Sequence, residues 1–441
     1  MVRIVISLFT LLLIANGCSA DNQVNTYYSV TELREDFLQL KKLINENHPK
    51  YFTNISQLNS TFDSQFAKIN DSMTEIEFMR LLGPVISAVK CGHMRMYTPE
   101  ATYQYLVDSA RIIPLEIKVI NDTLYVIFNC SADSEIKPGW IVKSINGHSS
   151  QSIINNLKNC YSADGDNETY KYYNINLGFN TRYYIYIDKS NTFDIAFINP
   201  ATGTEIGKKL NGIIHTEYLH IKDSLNVHRE QYKDIRTFFA DDDSYAVLDI
   251  NTFVFYESLD SFTIPVRQFF IDLREQKINS LILDVRDNDG GDPNPAVFLL
   301  SYLLKNPAPY FSYDTPFYDD LKKPIQLSEY RFDGDLYILI NGFCFSTTGH
   351  LLSLLKYYNR GTIIGEESGG SYACNDASGE YYLSNTGIRI NLPRRTFKTA
   401  VDGLTKGRGI IPDIKIKPTI ADLINGRDPV MENAVELIEN K

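Results

Sequence analysis

Residues 243–418 alternate between apolar strands and amphipathic helices, and this alternation restricts the fold more than any other feature of the sequence. Strands that alternate with helices build a sheet covered by helices, so we predict an α/β core at residues 235–420. The predicted strands are 245–250, 280–285, 336–340 and 362–364, and the predicted helices are 261–276, 296–305 and 347–358.

Two regions with different hydrophobic periods precede this core. From Ser29 to about residue 97, apolar residues recur every three or four positions, and Ser29 and Thr74 are suited to capping helices. This pattern predicts a helical N-terminal domain at residues 25–100, with its second helix at 58–69 and its third at 75–89. The period then shifts toward two, which predicts a β-rich module at residues 103–200, interrupted by a loop-rich polar insertion at 155–173.

Within the β-rich module, residues 136–147 (IKPGWIVKSING) combine a Pro-Gly turn, an apolar strand and an Asn-Gly turn. This combination by itself predicts a hairpin. The stretch also resembles PDZ domains, which capture peptide C-termini by strand addition. Trp140 stands where those domains usually have Asp. The resemblance therefore implies a PDZ-like module that recruits peptide chains, and it leaves open whether the module binds their carboxylates.

The composition is that of a soluble globular protein with an acidic balance. Hydrophobic residues make up 44% of the 441 residues and charged residues 22%, and 43 Lys and Arg face 54 Asp and Glu, for a net charge of −11. A negative chain without a basic run is poorly suited to binding phosphate backbones, so nucleic acid is not an expected partner.

The N-terminus has the pattern of an export signal. Arg3 precedes an apolar run at residues 4–15, which is shorter than the roughly 20 apolar residues that span a bilayer. Residues 15–18 (ANGC) resemble the lipobox of bacterial lipoproteins, with Ala15 where Leu is usual. We therefore predict a signal peptide at 1–20, as a lipoprotein signal of residues 1–17 with a lipid on Cys18, or alternatively as a signal cleaved after Ala20. Either form is exported, and the expected location is the periplasm or the outer surface of a bacterial cell envelope, with membrane contact only through the lipid.

The cysteines do not predict a metal framework. Six are present, and five remain if Cys18 is lipidated, without a C-x-x-C pair. One disulfide is compatible with an exported protein, and the sequence does not select its partners. Neither a metal nor an organic cofactor is expected.

Two junctions between a predicted strand and a loop contain residues suited to chemistry. Residues 281–291 (LILDVRDNDGG) end in paired glycines, which can turn the backbone and expose free N–H groups. Residues 336–346 (LYILINGFCFS) end in Ser346, directly before the helix predicted from Thr347, where helix N–H groups stabilise negative charge. From local pattern alone, a simple turn and a simple helix cap are the favoured interpretations of these residues.

The two junctions, in this order, resemble the core of the tail-specific and C-terminal-processing serine peptidases and of their tricorn-core relatives. Residues 365–370 (GEESGG) and 407–413 (GRGIIPD) match two further blocks of that family, and His48-Pro49 and Gly92-His93 match the exported bacterial branch. The resemblance runs from about residue 28 to 418. It implies a multidomain α+β protein whose α/β catalytic core has the ClpP/crotonase-like fold.

The resemblance also implies a role for each matched residue. Ser346 is the expected nucleophile, and because a hydroxyl needs a base within reach, His93 is the expected general base. The lysine that processing proteases use falls on Ser371, so the Ser-Lys version is not expected. The oxyanion donors are expected to be the N–H of Gly291 or Gly290 together with that of Thr347.

Three positions depart from the family pattern. Gly349 stands where the family has Glu, Gly92 where tricorn-like enzymes have Ser beside the histidine, and Lys406 where they have an acidic partner. The residue that orients His93 is therefore open, and Glu366 is our candidate, with a loop carboxylate bound to nearby N–H groups as the alternative.

Two local patterns offer rival assignments. His350 lies four residues after Ser346 on the same helical face and could act as the base instead. Ser353 and Lys356 form an S-x-x-K pattern, but the accompanying motifs of penicillin-recognising enzymes are missing. His215, His220 and His228 lack metal-ligand spacing and are expected to be solvated or structural.

The resulting prediction is an exported serine endopeptidase that hydrolyses proteins or peptides through an acyl-enzyme on Ser346. Two other hypotheses remain open. One is a non-catalytic protein that binds peptides or apolar ligands on the same fold, and the other is an esterase that uses the same serine.

Overall fold

Three helices open the part of the chain that the computed structural model describes, which comprises residues 26–224 and 233–441. Ser29 and Thr74 both form capping boxes, as predicted, and the second helix begins three residues before its predicted start. The helices are α1 (Val30–Asn47), α2 (Ile55–Phe66) and α3 (Glu75–Ala88), followed by α4 (Glu100–Asp108), and the short strands are β1 (Tyr27–Tyr28), β2 (Met73–Thr74) and β3 (Arg95–Tyr97).

An antiparallel sheet forms the middle of the chain, in the order β10-β9-β7-β6-β5, with β8 paired to β7. The strands of this sheet are β5 (Leu115–Ile120), β6 (Thr123–Asn129), β7 (Ile141–Ile145), β8 (His148–Ser149), β9 (Thr192–Ile198) and β10 (Glu205–Asn211). The same region contains β4 (Arg111–Ile112) and β11 (Ile213–Ile214), which pair with each other, and the helices α5 (Ser150–Lys158), α6 (Glu168–Asn176), α7 (Phe179–Tyr186) and α8 (His215–Ser224).

The prediction of a loop-rich insertion at 155–173 was wrong for both ends of that segment. Residues 155–158 complete α5 and residues 168–173 begin α6, and only 159–167 lie between helices. Ser149 and Asn167 cap these helices, and a few apolar side chains, such as Ile154 and Leu157, are buried on their inner faces. The abundance of polar residues on the outer faces hid this short helical pattern.

The α/β core is built on a sheet in the order β12-β13-β14-β15-β16-β21. Strands β13 to β21 of this sheet run parallel, and β12 is antiparallel at the edge. The predicted strands and helices of the core are confirmed to within three residues. These confirmed elements are β13 (Ala246–Ile250), β14 (Ser280–Asp284), β15 (Asp335–Ile340) and β16 (Thr362–Gly365), with α9 (Asp260–Glu275), α10 (Pro293–Leu303) and α11 (Thr347–Tyr357). The sequence pattern did not predict β12 (Ile235–Phe239), β21 (Ile414–Lys415), α12 (Ile420–Asn425) or α13 (Pro429–Glu439).

Alternate residues of the core strands face opposite layers, as the period of a strand requires. Leu283 and Ile338 pack with α9, α10 and α11 on one face, whereas Ile282 and Leu339 pack with α13 on the other. The protein therefore has a mixed α+β fold in which a helix-covered sheet positions the loops at the carboxyl ends of its strands.

Four further strands connect the core to the N-terminal helices. They are β17 (Ala373–Asp376), β18 (Gly379–Tyr382), β19 (Arg389–Leu392) and β20 (Arg395–Lys398). Strand β17 pairs with β20, and β19 pairs with both β18 and β3. Ile388 and Ile390 enter the hydrophobic core of the N-terminal helices. The pairing of β3 with β19 therefore holds the loop before β3, which contains His93, next to the α/β core.

Several expectations concern residues outside the described ranges or features of the whole chain. The predicted signal at 1–20, with Cys18, and His228 lie outside the described residues. Cys91, Cys130, Cys160, Cys344 and Cys374 are free and buried. Within the described ranges, no group of His, Cys, Asp or Glu side chains is arranged to hold a metal ion. Of the helices described, none has the length and apolar character needed to cross a membrane.

Candidate active site

Ser346 occupies a strained turn between the end of β15 and the start of α11. Its backbone angles are φ 53° and ψ −122°, a region that non-glycine residues rarely adopt. The turn is held from both sides, because the N–H of Phe345 donates to the carbonyl of Asn288 at 3.1 Å and the thiol of Cys344 donates to the carbonyl of Val285 at 3.0 Å. Strained backbone conformations of this kind occur preferentially at functional sites, where the surrounding structure holds them in place.

The paired glycines of the β14 junction lie against this turn. A Cβ atom at Gly290 would lie 2.7 Å from the Cβ of Ser346 and 2.8 Å from the nitrogen of Thr347. Gly290 also has φ +101°, which a side chain would strain. Only glycine therefore allows the two junctions to approach so closely.

The structure distinguishes between the two glycines as anion donors. The N–H of Gly290 is already engaged, since it donates to the side-chain oxygen of Asn288 at 2.9 Å. The N–H groups of Gly291 and Thr347 donate to no partner within residues 26–224 and 233–441. The hydroxyl of Thr347 ties the two segments together by donating to the carbonyl of Gly291 at 2.6 Å. Gly291, with Thr347, is thus the pair that remains free to bind an oxyanion.

Asn288 is the buried residue that holds this arrangement in place. Its side-chain oxygen accepts from Gly290 N–H and from the hydroxyl of Thr348 at 2.8 Å. Its side-chain amide donates to the carbonyl of Ile250 at 3.0 Å. Every polar atom of this fully buried side chain is therefore used to join β13, the glycine turn and the first turn of α11.

His93 reaches Ser346 across 253 positions of the sequence. Its Nε2 lies 3.0 Å from the Oγ of Ser346, within hydrogen-bond distance. The side-chain amide of Asn391, in β19, donates to the carbonyl of His93 at 2.8 Å, and the ring lies 4.6 Å from that of Phe345 between centroids. The predicted nucleophile and base are thus in direct contact.

The electrostatics around His93 keep its imidazole neutral. Burial lowers the pKa of His93 below the ordinary 6.5, and Asp376 opposes this shift. The carboxylate of Asp376 lies 3.9 Å from Nε2, close enough to stabilise a protonated ring but too far for a hydrogen bond. The other nitrogen, Nδ1, is buried without a hydrogen-bond partner among the described residues. Packing against Phe345, rather than a carboxylate on Nδ1, therefore orients the ring.

Glu366, our candidate for orienting His93, is placed elsewhere. Its carboxylate pairs with Lys417 at 3.2 Å and lines a cavity shared with Tyr173 and Asp287. Asp376 is the carboxylate that the structure brings beside His93. No sequence pattern indicated this residue, because it ends the short strand β17 outside every matched block.

The departures at Gly92 and Gly349 have steric causes. A Cβ atom at Gly92 would lie 2.5 Å from the ring of Phe345, and one at Gly349 would lie 2.4 Å from the backbone of Gly370. Lys406 lies over the ring of Tyr51, 4.1 Å from its centroid. Ser371, at the position of the family lysine, is buried with no hydrogen bond to its hydroxyl among the described residues.

The rival assignments do not meet the geometry that their chemistry requires. His350 is buried between the rings of Tyr310 and Phe311, and neither of its nitrogens is hydrogen-bonded to a described residue, Ser346 included. Ser353 is fully buried and bonds to Thr399, while Lys356 pairs with Asp413. Ser346 with His93 is the serine–base pair that the structure assembles.

Comparisons with known proteins concern the sequence family of the α/β core and the fold of the chain. Residues 244–416 match the sequence profile of peptidase family S41. The fold is similar to the crystal structure of mature CPAF, with a TM-score of 0.65 and 14% identity over 93% of this chain and 96% of that one. The structure of mature CPAF complexed with lactacystin is similar with the same TM-score and identity, over 93% of this chain and 99% of that one. A putative peptidase from Parabacteroides merdae is 16% identical, with a TM-score of 0.49 over 93% of this chain and 97% of that one. None of the curated proteins compared with the chain matches its sequence.

The profile match covers both strand-to-loop junctions, including Gly291, Ser346 and Thr347. The similarity to CPAF shows that the shared fold extends over nearly the whole chain. Residues 244–416 therefore belong to peptidase family S41, the family of the tail-specific and C-terminal-processing serine peptidases, and the protein is a serine-type peptidase. The family implies that its substrates are proteins or peptides.

Proposed function

We propose that the protein is an endopeptidase in which Ser346 forms an acyl-enzyme with His93 as general base. The observation that carries the proposal is the 3.0 Å contact between His93 Nε2 and Ser346 Oγ. It occurs beside two N–H groups, of Gly291 and Thr347, that have no partner among the described residues. A nucleophile, a base and an anion site are thus available at one point, which is what acyl transfer requires.

The reaction follows from this arrangement. His93 takes the proton of Ser346 as Oγ attacks the substrate carbonyl, and the resulting oxyanion accepts hydrogen bonds from Gly291 and Thr347. The protonated imidazole, stabilised by the charge of Asp376, then gives its proton to the leaving amine. A water molecule, activated by the neutral His93, hydrolyses the acyl-enzyme by the same steps.

The test compares Ser346→Ala and His93→Ala with the native protein and with Ser353→Ala, a matched control seven residues further along the same loop and helix. We expect cleavage of a loosely folded protein, followed by mass spectrometry, to be lost in the first two variants and kept in the control. A serine-reactive fluorophosphonate should label Ser346 in the native protein and much more slowly in His93→Ala.

Other outcomes of the same experiment would refute the proposal. If the folded native protein binds peptides but neither cleaves them nor reacts with the fluorophosphonate, it is a binding protein. If it turns over activated esters but no peptide, it is an esterase. Loss of cleavage in Ser346→Ala alone, with His93→Ala fully active, would require another base.

We further propose that the antiparallel sheet at residues 103–200 is a PDZ-like module that recruits substrate chains. Trp140 is buried in this sheet, with its ring 5.8 Å from that of Phe197. Trp140 thus contributes to the module's core at the position where the resembled domains have Asp. A peptide with a free C-terminus should compete with substrate cleavage more strongly than its C-terminal amide, and equal competition would contradict recruitment through the carboxylate.

Export as a lipoprotein of a bacterial cell envelope is also a proposal, which rests on the sequence of residues 1–20. Expression in a bacterial host with a labelled fatty acid should label the native protein and not Cys18→Ser. An unlabelled protein that begins at residue 21 would instead establish cleavage after Ala20 and a free exported form.

A further inference from the structure

A cavity of about 210 Å³ opens directly beside Ser346. It is small compared with sites that hold whole ligands, which measure about 300–1,000 Å³, and it suits a single side chain. Five aromatic rings contribute to its wall. The rings belong to Tyr256, Phe311, Phe317, Tyr318 and Phe397.

The position of the cavity relative to the catalytic groups identifies the substrate residue that would fill it. Gly291 and Thr347, the two oxyanion donors, line the cavity, whereas His93 does not. The leaving amine must lie beside the base that protonates it, so a cavity on the oxyanion side faces the acyl half of the substrate. The side chain that enters is that of the residue whose carbonyl is attacked.

The lining of the cavity contains one buried polar side chain with unused hydrogen-bonding capacity. His350 is 3% exposed, and both of its ring nitrogens lack a partner among the described residues. Burial lowers the pKa of His350 to about 3, so the ring is neutral and offers one donor and one acceptor. A buried polar group left unpaired is costly, and a substrate group that pairs with it removes that cost.

Phe317 and Tyr318, called the rim here, are the exposed aromatic residues of one strained segment in the cavity lining. Phe317 and Tyr318 have φ of 60° and 51°, which bulky residues rarely adopt. Their side chains are 61% and 41% exposed. Each ring packs on one side against Phe397 and leaves part of its surface open to solvent, where it can contact a substrate.

We propose that this cavity receives an aromatic side chain of the substrate, and that His350 makes tyrosine preferred over phenylalanine by bonding to its hydroxyl group. The proposal rests on the proposed function, since it places the substrate at Ser346. The aromatic wall stacks on the ring, and the phenol can both donate to and accept from a neutral imidazole.

The charge distribution disfavours the alternative of a basic side chain. Asp376 is the carboxylate that lines the cavity, but its side chain is 45% exposed and lies beside His93. A lysine or arginine extended past it would bring its charge against aromatic rings and a neutral, buried imidazole. Inside the cavity, no ion pair would compensate for the free-energy cost of desolvating that charge.

The test uses peptides that differ only at the residue before the cleaved bond, with Tyr, Phe, Leu, Lys, Glu or Ala at that position. We expect kcat/KM for Phe to exceed that for Ala by about 100-fold, because an aromatic ring is buried. Tyr should exceed Phe by about three- to tenfold, the range of one neutral hydrogen bond. A preference for Lys, or equal rates for all six peptides, would overturn the proposal.

Variants separate the two parts of the inference. His350→Leu should reduce the Tyr-to-Phe ratio to about one while Phe peptides are still cleaved. Phe317→Ala, at a position that is 61% exposed, should slow cleavage of both aromatic peptides more than cleavage of the Ala peptide. An unchanged Tyr-to-Phe ratio in a folded His350→Leu protein would refute the role of His350, and unchanged aromatic rates in Phe317→Ala would refute the role of the rim.

Fluorophosphonate labelling of Ser346 distinguishes failure of this inference from failure of the proposed function. Labelling without aromatic preference refutes only the cavity assignment. A native protein that is not labelled and cleaves none of the peptides refutes both.

Discussion

The contact between Gly92 and Phe345 links the base to the nucleophile, and Gly92→Ala tests it. The added methyl group would lie 2.5 Å from one ring carbon of Phe345 and 2.8 Å from the next. Carbon atoms in contact are normally about 3.5–4.0 Å apart, so the ring must move by about 1 Å. The φ angle of Gly92 lies outside the left-handed region, so the effect comes from this collision and not from backbone strain.

The ring of Phe345 has little room to move. It stacks on Tyr170 with centroids 4.2 Å apart and lies 4.6 Å from the ring of His93. Overpacking of a buried site costs about 1–3 kcal/mol, which should lower Tm by several degrees at most. A displacement of about 1 Å at a catalytic pair costs about 100-fold in rate. We therefore expect a mild loss of stability together with a large loss of activity.

The assay measures kcat/KM on a peptide, the rate of fluorophosphonate labelling of Ser346, and Tm for Gly92→Ala, Phe345→Leu and the double variant. The smaller leucine makes room for the methyl group, so the double variant should be more active than the product of the two single losses predicts. If Gly92→Ala stays within threefold of the native kcat/KM, or if the two losses simply multiply, then Phe345 does not hold His93 in place.

Three further predictions concern charge and close packing. Because burial holds the pKa of His93 below 6.5 and its neutral form is the base, kcat/KM should fall at acid pH with a half-point below 6.5. Asp376→Asn should move that half-point to lower pH, since the charge of Asp376 raises the pKa of His93. A half-point above pH 6.5, or a half-point that the substitution does not change, would contradict this explanation. Gly290→Ala should reduce the rate of fluorophosphonate labelling of Ser346 by at least about 100-fold, because the added methyl group would collide with Ser346 and Thr347. Labelling at the native rate would show that the two turns can move apart. Burial raises the pKa of Asp164 from the ordinary 3.8 to about 7, so the folded protein binds the extra proton between about pH 4 and 7 and loses stability as pH rises through that window. The Tm of Asp164→Asn relative to the native protein should therefore increase from pH 5 to pH 8, whereas the exposed control Asp166→Asn should show no such trend.

The sequence was most informative where local chemistry determines structure. Ser29 and Thr74 form the predicted helix caps, and the apolar strands ending before Gly291 and Ser346 lie where their patterns place them. These features depend on neighbouring residues, so they can be recognised without the rest of the fold. The contact of His93 with Ser346 followed from family motifs, since no spacing rule relates residues 253 positions apart.

The parts that the sequence did not predict depend on long-range packing. Asp376 reaches His93 because β17 pairs with β20 and lies beside the nucleophile turn, which no local pattern reveals. Glu366 had a suitable charge in a matched block, but Lys417 holds it elsewhere. Gly92 was noted as a departure from a related pattern, and its reason, the ring of Phe345, becomes visible only when the two segments meet.

The distance along the chain between His93 and Ser346 has a consequence for biosynthesis. The loop that carries His93 is fixed by the pairing of β3 with β19, so it depends on residues near the end of the core as well as on the N-terminal helices. Bringing together residues that are far apart in the sequence costs chain entropy and slows folding. We therefore expect the contact between His93 and Ser346 to form late in folding. A chain that is still being made contains His93 but not yet Ser346 or β19, and a chain that has lost residues 26–97 keeps Ser346 but lacks His93. Neither chain can hold the base against the nucleophile. We therefore expect hydrolytic capacity to appear only once the whole molecule has folded, so that incomplete copies are harmless to their neighbours and to themselves.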